Sequence, residues 1–325
     1  MKRIGVLTSG GDAPGMNAAI RAVVRTAIAN DMSVVGFKRG YNGVLMYQNG
    51  SNDDYEIMTR RSVGETIHRG GTFLMTARCK EFHEVEVQKK AISNMRLLGL
   101  EGLVVIGGDG TFRGANAMTE LGFPVVGIPG TIDNDLPYTD YTLGFDTAVN
   151  TCLDIINKLR DTMTSHERVS VVEVMGRHCG DIALYSGIAS GAEIIVVPEI
   201  AFNMDEIVSR INRSRANGKH SNIIVIAEGV MTAEEFARQL QSFTLHSVRP
   251  TCIGHVQRGG SPSMMDRMLA AQFGNKAVRL LNDGIGNRVV GIRDNKIIDM
   301  DIIEAVSMKK TFNYELYETL QMISM

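Results

Sequence analysis

Carboxylates and hydroxyls follow two apolar runs of the chain, in each case directly after glycine. The run at 102–106 leads into Gly107-Gly-Asp-Gly-Thr111, which places Asp109 between glycines. The run at 123–128 leads into Pro129-Gly-Thr-Ile-Asp-Asn-Asp135. If both runs are parallel strands, these polar residues lie at one edge of a sheet, where open α/β sheets bind ligands. Asp and Asn after glycine are also ordinary turn formers, so either stretch alone also fits a plain loop.

The first of these stretches suits a polyphosphate with a magnesium ion. Glycine lets a phosphate approach the backbone, and Mg²⁺ takes few protein ligands while it keeps waters and phosphate oxygens. A single carboxylate, Asp109, is therefore a sufficient metal ligand. Residues 107–114 lack the dinucleotide fingerprint, because Arg113 stands in the place of its last glycine.

A third glycine-rich stretch, residues 8–15, is close to a P-loop. Gly10 and Gly15 have the P-loop spacing, but Met16 and Asn17 replace its Lys and Ser/Thr. What remains is a strand-to-helix turn, whose free amides and helix dipole favour an anion. A purely structural turn fits this stretch equally well.

Arginines near strand ends form a second group of candidates. Those at or near a predicted strand end or turn are Arg78, Arg168, Arg177, Arg249 and Arg258, together with His255. Arg is the usual choice where a phosphate is held by a planar fork of donors. Any one of them alone is more simply a solvated surface charge. Glu228 ends another predicted strand, where it suits sugar hydroxyls or is a solvated carboxylate.

Length and composition limit the possible classes of protein. A chain of 325 residues is long for a single core, so two domains are expected. The hydrophobic fraction is 44%, and no apolar run approaches the length of a membrane span. The net charge of −2, without long blocks of either sign, argues against nucleic acid or a membrane as the main partner.

The cysteines and the N-terminal sequence predict a cytoplasmic protein. The four cysteines have no paired spacing, which fits a reducing compartment and offers no zinc motif. The chain passes from Met1 straight into strand-like sequence, without the long apolar region of a signal peptide.

Strand and helix patterns alternate along the chain, which predicts an α/β fold of two doubly wound, mostly parallel-sheet lobes. Strands are predicted at 4–7, 34–37, 102–106, 123–128, 169–174, 194–197 and 222–227, with a hairpin at 288–301. Helices are predicted at 20–28, 62–68, 85–98, 146–162, 181–189, 205–215, 232–241 and 264–281. The polar stretch at 41–54 is expected to be a surface excursion.

The motifs together resemble the bacterial ATP-dependent 6-phosphofructokinases of the phosphofructokinase A family, and the resemblance runs essentially end to end. Besides the three stretches above, it rests on Arg69-Gly-Gly-Thr-Phe-Leu74, Val172-Glu-Val-Met-Gly-Arg177 and Gly254-His-Val-Gln-Arg-Gly-Gly-Ser-Pro262. The resemblance implies an ATP-binding lobe of residues 1–144 and 257–307. A sugar-phosphate lobe would comprise 145–256 and 308–325, and the assembly would be a homotetramer.

The resemblance also implies roles for individual residues. ATP would be held by Gly11, Arg78, Cys79, Gly108, Asp109, Gly110, Thr111 and Gly114, with Asp109 serving Mg²⁺. Fructose 6-phosphate would be held by Thr131, Ile132, Asp133, Met175, Gly176, Arg177, Glu228, His255, Val256, Gln257 and Arg258. Arg168 and Arg249 would reach the sugar-phosphate site of a neighbouring subunit.

The catalytic roles follow from the same resemblance. Asp133 would take the proton from the sugar 1-hydroxyl, with Thr131 beside it and Asp135 supporting the metal and base arrangement. Arg177 and Arg78 would stabilise charge on the phosphoryl group.

Two features bear on nucleotide choice. Pyrophosphate-dependent relatives tend to carry a bulky acid at 110 and a lysine at 130, so Gly110 and Gly130 favour ATP. Cys79 and His83 replace a Phe and an Arg often found nearby, which bears on the contacts to the adenine and on the affinity for the nucleotide.

A different kinase with Gly-Gly-Asp-Gly-Thr, acting on NAD or a lipid, would leave the arginines unexplained. A non-enzymatic sugar-phosphate sensor would not need both Asp109 and Asp133.

Effector positions of the family map onto the chain as well. They are Arg21, Arg25, Arg60, Arg160, Gly191, Ala192, Glu193, Asn217, Lys219, His220 and Ser221. Arg21 and Arg25 lie one helical turn apart and either share a ligand or form a solvated cationic stripe. Asn217 stands where a basic residue is common, and His220-Ser221 also departs from the family. Reduced sensitivity to ADP or phosphoenolpyruvate is therefore expected.

Overall fold

The computed structural model describes residues 1–46 and 53–324, and these fold into two compact units. The first unit comprises Met1–Ile132, Leu136–Thr147 and Arg258–Lys310. The second unit comprises Asp133–Asp135, Ala148–Gln257 and Thr311–Met325. The three residues Asp133–Asp135 cluster with the second unit. The family resemblance implies instead that they belong to the ATP-binding lobe.

Strands and helices alternate through most of the described chain. The strands are β1 (Arg3–Thr8), β2 (Ser33–Phe37), β3 (Tyr55–Met58), β4 (Gly102–Gly107), β5 (Val125–Pro129), β6 (Val169–Val174), β7 (Ile194–Val196), β8 (Asn222–Ala227), β9 (Val248–Cys252), β10 (Arg288–Arg293) and β11 (Lys296–Asp301). The helices are α1 (Met16–Ala29), α2 (Tyr41–Met46), α3 (Val85–Leu97), α4 (Asp109–Glu120), α5 (Phe145–Ser165), α6 (Asp181–Ser190), α7 (Met204–Ala216), α8 (Ala233–Gln241), α9 (Met264–Asn282), α10 (Ile302–Ser307) and α11 (Tyr314–Ile323). Short 3-10 turns lie at Lys80–His83 and Gly254–Arg258.

The first unit is built on a seven-stranded sheet with the order β11-β10-β5-β4-β1-β2-β3. Its five inner strands are parallel, and the edge strands β3 and β11 pair antiparallel with their neighbours. Residues of α3 and α4 share a core with inward-facing residues of β2, β4 and β5. Helices α1 and α9 pack on each other and against the sheet. Burial on both faces explains why β4 reads as a continuous apolar run.

The second unit is built on a four-stranded, wholly parallel sheet with the order β7-β8-β6-β9. Ile211 of α7 and Phe236 of α8 join Val171 and Ile224 in a buried cluster over one face. Helix α6 packs on β7 and β8, and α11 packs on α6. The predicted class, two α/β lobes with mostly parallel sheets, is confirmed.

Two local predictions are wrong. Residues 62–68 form turns rather than a helix, and Glu65 has a φ of 56°, which a right-handed helix does not accommodate. The expected surface excursion at 41–54 instead begins with α2, where Tyr41 and Val44 are buried. Tertiary contacts of Tyr41 outweigh the weak helix propensity of its Asn- and Gly-containing neighbours. The rest of that prediction, residues 47–52, lies outside the described residues.

Within residues 1–46 and 53–324, none of the helices has both the length and the apolar composition needed to cross a bilayer.

Candidate functional site

Three loops are joined at the carboxyl edge of the first sheet. The amide of Ser9 donates to the carbonyl of Ile106 at 3.0 Å, and the amide of Gly130 donates to the carbonyl of Gly107 at 2.9 Å. The Thr111 hydroxyl donates to the carbonyl of Ser9 at 3.1 Å. The expectation that the two acid-bearing stretches follow neighbouring parallel strands is confirmed by the pairing of β4 with β5.

The glycines of these loops serve different purposes. A Cβ at Gly107 would lie 2.4 Å from the Ser9 carbonyl oxygen, and one at Gly130 would lie 3.0 Å from Ile106. Packing therefore accounts for glycine at both positions. Among residues 1–46 and 53–324, a Cβ at Gly110 would meet nothing within 4 Å. Of the two glycines that favoured ATP, only Gly110 is left without a structural explanation, so only Gly110 supports room for a ligand.

Helix α4 begins directly at Asp109, so the second half of the predicted loop is a helix N-terminus. Its cap residue, Gly108, has no side chain to bind the first-turn amides. Such amides attract anions, and phosphate above all. The carboxylate of Asp109 lies 2.9 Å from Nε of Arg113 and is 45% exposed. It offers the hard oxygen that Mg²⁺ prefers, and it would share its charge between the ion and Arg113.

The described residues offer no ready-made protein cage for a metal ion. Across residues 1–46 and 53–324, His, Cys, Asp and Glu side chains form no group of three or more that could hold one. Mg²⁺ in nucleotide sites keeps waters and phosphate oxygens as ligands, and a single carboxylate such as Asp109 fits that pattern.

Gly11 and Arg258, predicted for different ligands, are in contact within the first unit. A Cβ at Gly11 would lie 2.5 Å from Nη1 of Arg258. The same nitrogen donates to the carbonyl of Asp12 at 3.2 Å. Glycine at 11 therefore makes room for the guanidinium of Arg258.

Tyr41 contacts two of the predicted ATP-binding residues, although the sequence did not predict a role for it in the site. Its hydroxyl donates to the carbonyl of Thr111 at 2.7 Å, and its ring stacks on Phe82 with centroids 4.1 Å apart. A Cβ at Gly114 would lie 2.9 Å from the Tyr41 ring. Burial raises the pKa of the Tyr41 phenol far above its usual range, which keeps it a neutral donor. The polar composition around Tyr41 gave no signal of this role.

The remaining ATP candidates lie after a turn-rich segment. Arg78 is exposed, and Cys79 is half-buried just before the 3-10 turn that contains His83. Burial is the main cause that raises the pKa of the Cys79 thiol. The thiol is therefore a neutral, weakly polar contact.

In the second unit, Asp133, Arg177 and Glu228 form one cluster. Asp133 is buried, and its Oδ2 lies 3.3 Å from Nε of the half-exposed Arg177. Oε1 of Glu228 accepts hydrogen bonds from the amides of Arg177 at 2.9 Å and Gly176 at 3.2 Å. Arg177 and Gly176 have φ values of 53° and 137°, so Glu228 holds a turn that the chain does not favour by itself. Glu228, which the sequence predicts to contact the sugar, therefore also supports the backbone turn at residues 176–177.

Two buried amides complete the surroundings of this cluster. The Gln257 side chain is fully buried, and its oxygen accepts from the amide of Met175 at 3.1 Å. Asn134 donates to Asp181 at 2.9 Å, an acid that the sequence suggested only as a helix start. His255 and Val256 are exposed on the 3-10 turn beside Gln257. Gln257 thus has a structural task as well as its predicted substrate role.

Arg168 and Arg249 lie at the amino end of the strands in the second sheet, whereas the Asp133 cluster lies at the carboxyl end. Arg168 precedes β6 and Arg249 pairs with Ser170 near its start, whereas Arg177 follows its carboxyl end. A strand of six residues spans roughly 20 Å, so these two arginines do not join the Asp133 cluster.

Five of the effector positions in the second unit line one cavity of about 600 Å³ between α7 and α11. Predicted residues that line it are Gly191, Ala192, Glu193, Asn217 and Lys219. Lys219 forms an ion pair with the buried Glu193. Arg210 and Arg213 also line the cavity and were missed, although Arg213 lies one turn before Asn217 on α7.

The other effector positions lie outside that lining. Arg160 donates to the carbonyl of Gly191 at 3.3 Å. His220 lies 3.9 Å from Glu167, and the Ser221 hydroxyl lies 3.3 Å from that of Thr164. Arg21, Arg25 and Arg60 belong to the first unit. Burial first, and then the charge of Arg25, lower the pKa of Arg21, so these two cations are neighbours on α1.

Known proteins match the chain over its whole length. A family model described as phosphofructokinase matches residues 3–281. The ATP-dependent 6-phosphofructokinase of Clostridium tetani is 57% identical over 324 residues, which cover 100% of both chains. That of Bacillus cereus is 55% identical over 324 residues, again 100% of both.

Solved structures agree with these matches. Phosphofructokinase from Saccharomyces cerevisiae superposes with a TM-score of 0.90 and 35% identity, over 98% of this chain and 50% of the yeast chain. The chain thus spans about half the length of that yeast relative. A pyrophosphate-dependent phosphofructokinase from Marinobacter aquaeolei, at 22% identity and a TM-score of 0.85 over 97% of this chain and 86% of its own, shares the fold. The fold, the two acid-bearing loops and the full-length matches together show that this chain belongs to the phosphofructokinase family.

Proposed function

We propose that the chain transfers a phosphoryl group from MgATP to the 1-hydroxyl of fructose 6-phosphate. The products are fructose 1,6-bisphosphate and ADP, and the reaction is the committed step of glycolysis. The observation that carries the proposal is a buried carboxylate, Asp133, held beside the half-exposed guanidinium of Arg177. The names of the relatives at 55–57% identity support it.

In this proposal the residues position the reactants and neutralise charge. Phosphoryl transfer passes through a loose transition state, so the protein has little covalent chemistry to perform. Asp133 takes the proton of the sugar 1-hydroxyl, with Thr131 beside the reacting oxygen. Arg177 and Arg78 stabilise the charge of the transferred group.

The nucleotide is held at the amino end of α4 and on the neighbouring loop. Asp109 would hold Mg²⁺, which when bound neutralises charge on the phosphates. Asp135 supports the arrangement of metal and base. Gly108, Gly110 and Thr111 would offer the backbone to the phosphates, with Gly11 and Cys79 near the nucleotide.

Substrate binding extends over two groups of residues. The sugar phosphate would contact Thr131, Ile132, Asp133, Met175, Gly176, Arg177, Glu228, His255, Val256, Gln257 and Arg258. Arg168 and Arg249 would serve a neighbouring subunit of a homotetramer. Both arginines lie at the amino end of the strands in the second sheet, away from the Asp133 cluster. This position supports a role for them in the site of a neighbouring subunit rather than in the site of their own chain.

A coupled assay tests the proposal against its alternatives. ADP release is measured from ATP with and without fructose 6-phosphate, and the rate of fructose 1,6-bisphosphate formation is then compared between ATP and pyrophosphate as donors. We expect release that requires both ATP and the sugar phosphate. Turnover with NAD or a lipid instead would favour another kinase, and sugar-phosphate binding without turnover would favour a sensor. An equal or higher rate with pyrophosphate would overturn the choice of ATP.

A regulatory ligand and a cellular location belong to the same proposal. The cavity beside Lys219 would take the phosphates of ADP or phosphoenolpyruvate, with reduced sensitivity because Asn217 lacks a charge. A strongly sigmoidal sugar-phosphate curve that ADP relieves would contradict this. The four cysteines have no paired spacing in the sequence, which supports a reducing compartment such as the cytoplasm.

A further inference from the structure

We propose that Asn17 is a positioning residue for Arg78 and acts through the segment of residues 69–76. The inference rests on the proposed function, in which Arg78 contacts the transferred phosphoryl group. Asn17 stands where a P-loop carries its Ser/Thr. In this chain its side chain faces protein.

The amide group of Asn17 is wholly engaged with one segment. Its Nδ2 donates to the carbonyls of Arg69 at 3.1 Å and Gly70 at 3.0 Å. Its Oδ1 accepts from the amide of Phe73 at 2.8 Å. Asn17 is only 2% exposed, so these bonds are shielded from water and each lost partner is costly.

Thr8 and Gly10, at the end of β1 and the turn after it, bind the same segment through three further contacts. The hydroxyl of Thr8 donates to the carbonyl of Met75 at 2.9 Å and lies 2.9 Å from the hydroxyl of Thr72. The hydroxyl of Thr76 donates to the carbonyl of Gly10 at 2.8 Å. Residues 69–76 are therefore tied along their length to the turn that begins at Thr8.

The path of the segment depends on these ties. Met75 has a φ of 58°, an unfavourable conformation for a residue with a long side chain. On its other side, a Cβ at Gly70 would lie 2.2 Å from the carbonyl oxygen of Gly260. Contacts rather than local preference fix where the segment runs, and Arg78 follows only two residues after Thr76.

Arg78 therefore takes its position from the ties of this segment, and Asn17 supplies three of them. The arginine is exposed, so packing of its own side chain does little to fix it. A catalytic donor must sit within a fraction of an ångström of its productive place, and a distant change that shifts it by about 1 Å costs about 100-fold in rate.

A double-mutant cycle with a matched control tests this. Asn17→Asp keeps the size of the side chain but turns an acceptor towards the carbonyls of Arg69 and Gly70. Asn94→Asp is the control, because Asn94 is fully buried and also donates to two carbonyls, those of Val44 at 2.9 Å and Leu45 at 3.4 Å. Each is combined with Arg78→Ala, and kcat, the KM values and thermal unfolding are measured.

We expect Asn17→Asp to lower kcat by about 100-fold with Arg78 present and by no more than about threefold with Arg78→Ala. Asn94→Asp should lower kcat by the same factor in both backgrounds. The sugar-phosphate KM should change little. Equal losses from Asn17→Asp in both backgrounds, or no loss at all, would overturn the proposal.

A second variant covers the case in which Asn17→Asp fails to fold. Thr76→Val removes one tie and keeps side-chain size, and it should show the same dependence on Arg78 at smaller amplitude. Hydrogen exchange of residues 69–76 should accelerate in both variants, whereas unchanged exchange would count against the proposal. A wild-type protein without ATP-dependent phosphorylation would refute the proposed function, and an active wild type with additive variants would refute only this inference.

Discussion

The Nε atom of Arg177 lies 3.3 Å from Oδ2 of Asp133, and the two side chains differ sharply in exposure, at 51% and 1%. The carboxylate is thus enclosed while its partner reaches solvent. A buried charge needs its partner, because removing one member leaves the other uncompensated. In the proposed reaction the same arginine would steady the base and meet the phosphoryl group.

Asp133→Asn should abolish most turnover while the sugar phosphate still binds. The amide keeps the size of the side chain but cannot accept the proton, so kcat should fall by roughly two to four powers of ten. Steady-state kinetics would separate kcat from the sugar-phosphate KM. Asp283→Asn, at an exposed acid, is the control and should leave both parameters unchanged. Near-full turnover of Asp133→Asn would show that another group is the base.

Gly11→Ala should act through Arg258. The new methyl group would lie 2.5 Å from Nη1, so the flexible guanidinium must move and lose its bond to Asp12. If Arg258 holds the sugar phosphate, the KM for the sugar phosphate should rise about tenfold, as expected for the loss of a hydrogen bond to a charged group. With Arg258→Ala already present, Gly11→Ala should cause no further rise in the sugar-phosphate KM. A further rise in the double variant would disprove action through Arg258.

Gly110→Ala should weaken ATP binding without weakening the fold. In the part of the chain that the structure describes, nothing lies within 4 Å of the new Cβ, and alanine favours helix over glycine by up to about 1 kcal/mol. The free energy of unfolding should therefore stay equal or rise, while the KM for ATP rises. Gly130→Ala is the matched comparison and should destabilise, because its Cβ would approach Ile106 to 3.0 Å. An unchanged KM for ATP in Gly110→Ala would remove the argument for ligand space there.

Asp299 should make stability depend on pH in acid. Partial burial by itself raises its pKa, but hydrogen bonds and charges from Lys276 and Arg288 outweigh this and leave the pKa below its ordinary value. The folded state therefore holds the proton more weakly than the unfolded state. The resulting stability is fully present above the unfolded pKa of about 3.9 and is lost as the pH falls through the folded pKa.

The measurement for Asp299 is urea unfolding at a series of pH values. Near neutral pH, Asp299→Asn should lower the free energy of unfolding by about 1 kcal/mol, since the group is partly exposed. The difference should shrink below about pH 4. Asp154→Asn removes an exposed pair with Lys158 and should change stability by no more than about 0.5 kcal/mol. A pH-independent loss for Asp299→Asn would contradict the assignment.

Much of the fold was readable because local sequence and tertiary environment agree. The apolar run of β4 and the hairpin of β10 and β11, which turns at Asp294 and Asn295, lie where the patterns predict them. The buried Tyr41 was not readable, since its role depends on Thr111, seventy positions away in the chain. The helix predicted at 62–68 is replaced by turns, and Glu65 there has a φ of 56°, which a right-handed helix does not accommodate.

By itself, the sequence determined which residue types stand where phosphate chemistry needs them. Glycines, Asp109 and Asp133 follow strands, and strand ends are set by local apolar patterns that can be read along the chain. Only the tertiary structure decided which of these residues touch. It pairs Arg177 with Asp133 and places Arg258 against Gly11. It also directs the side chain of Asn17, which stands at a P-loop position in the sequence, towards residues 69–73. The reason is physical: side-chain partners far apart in sequence are chosen by packing and burial, which no local pattern records.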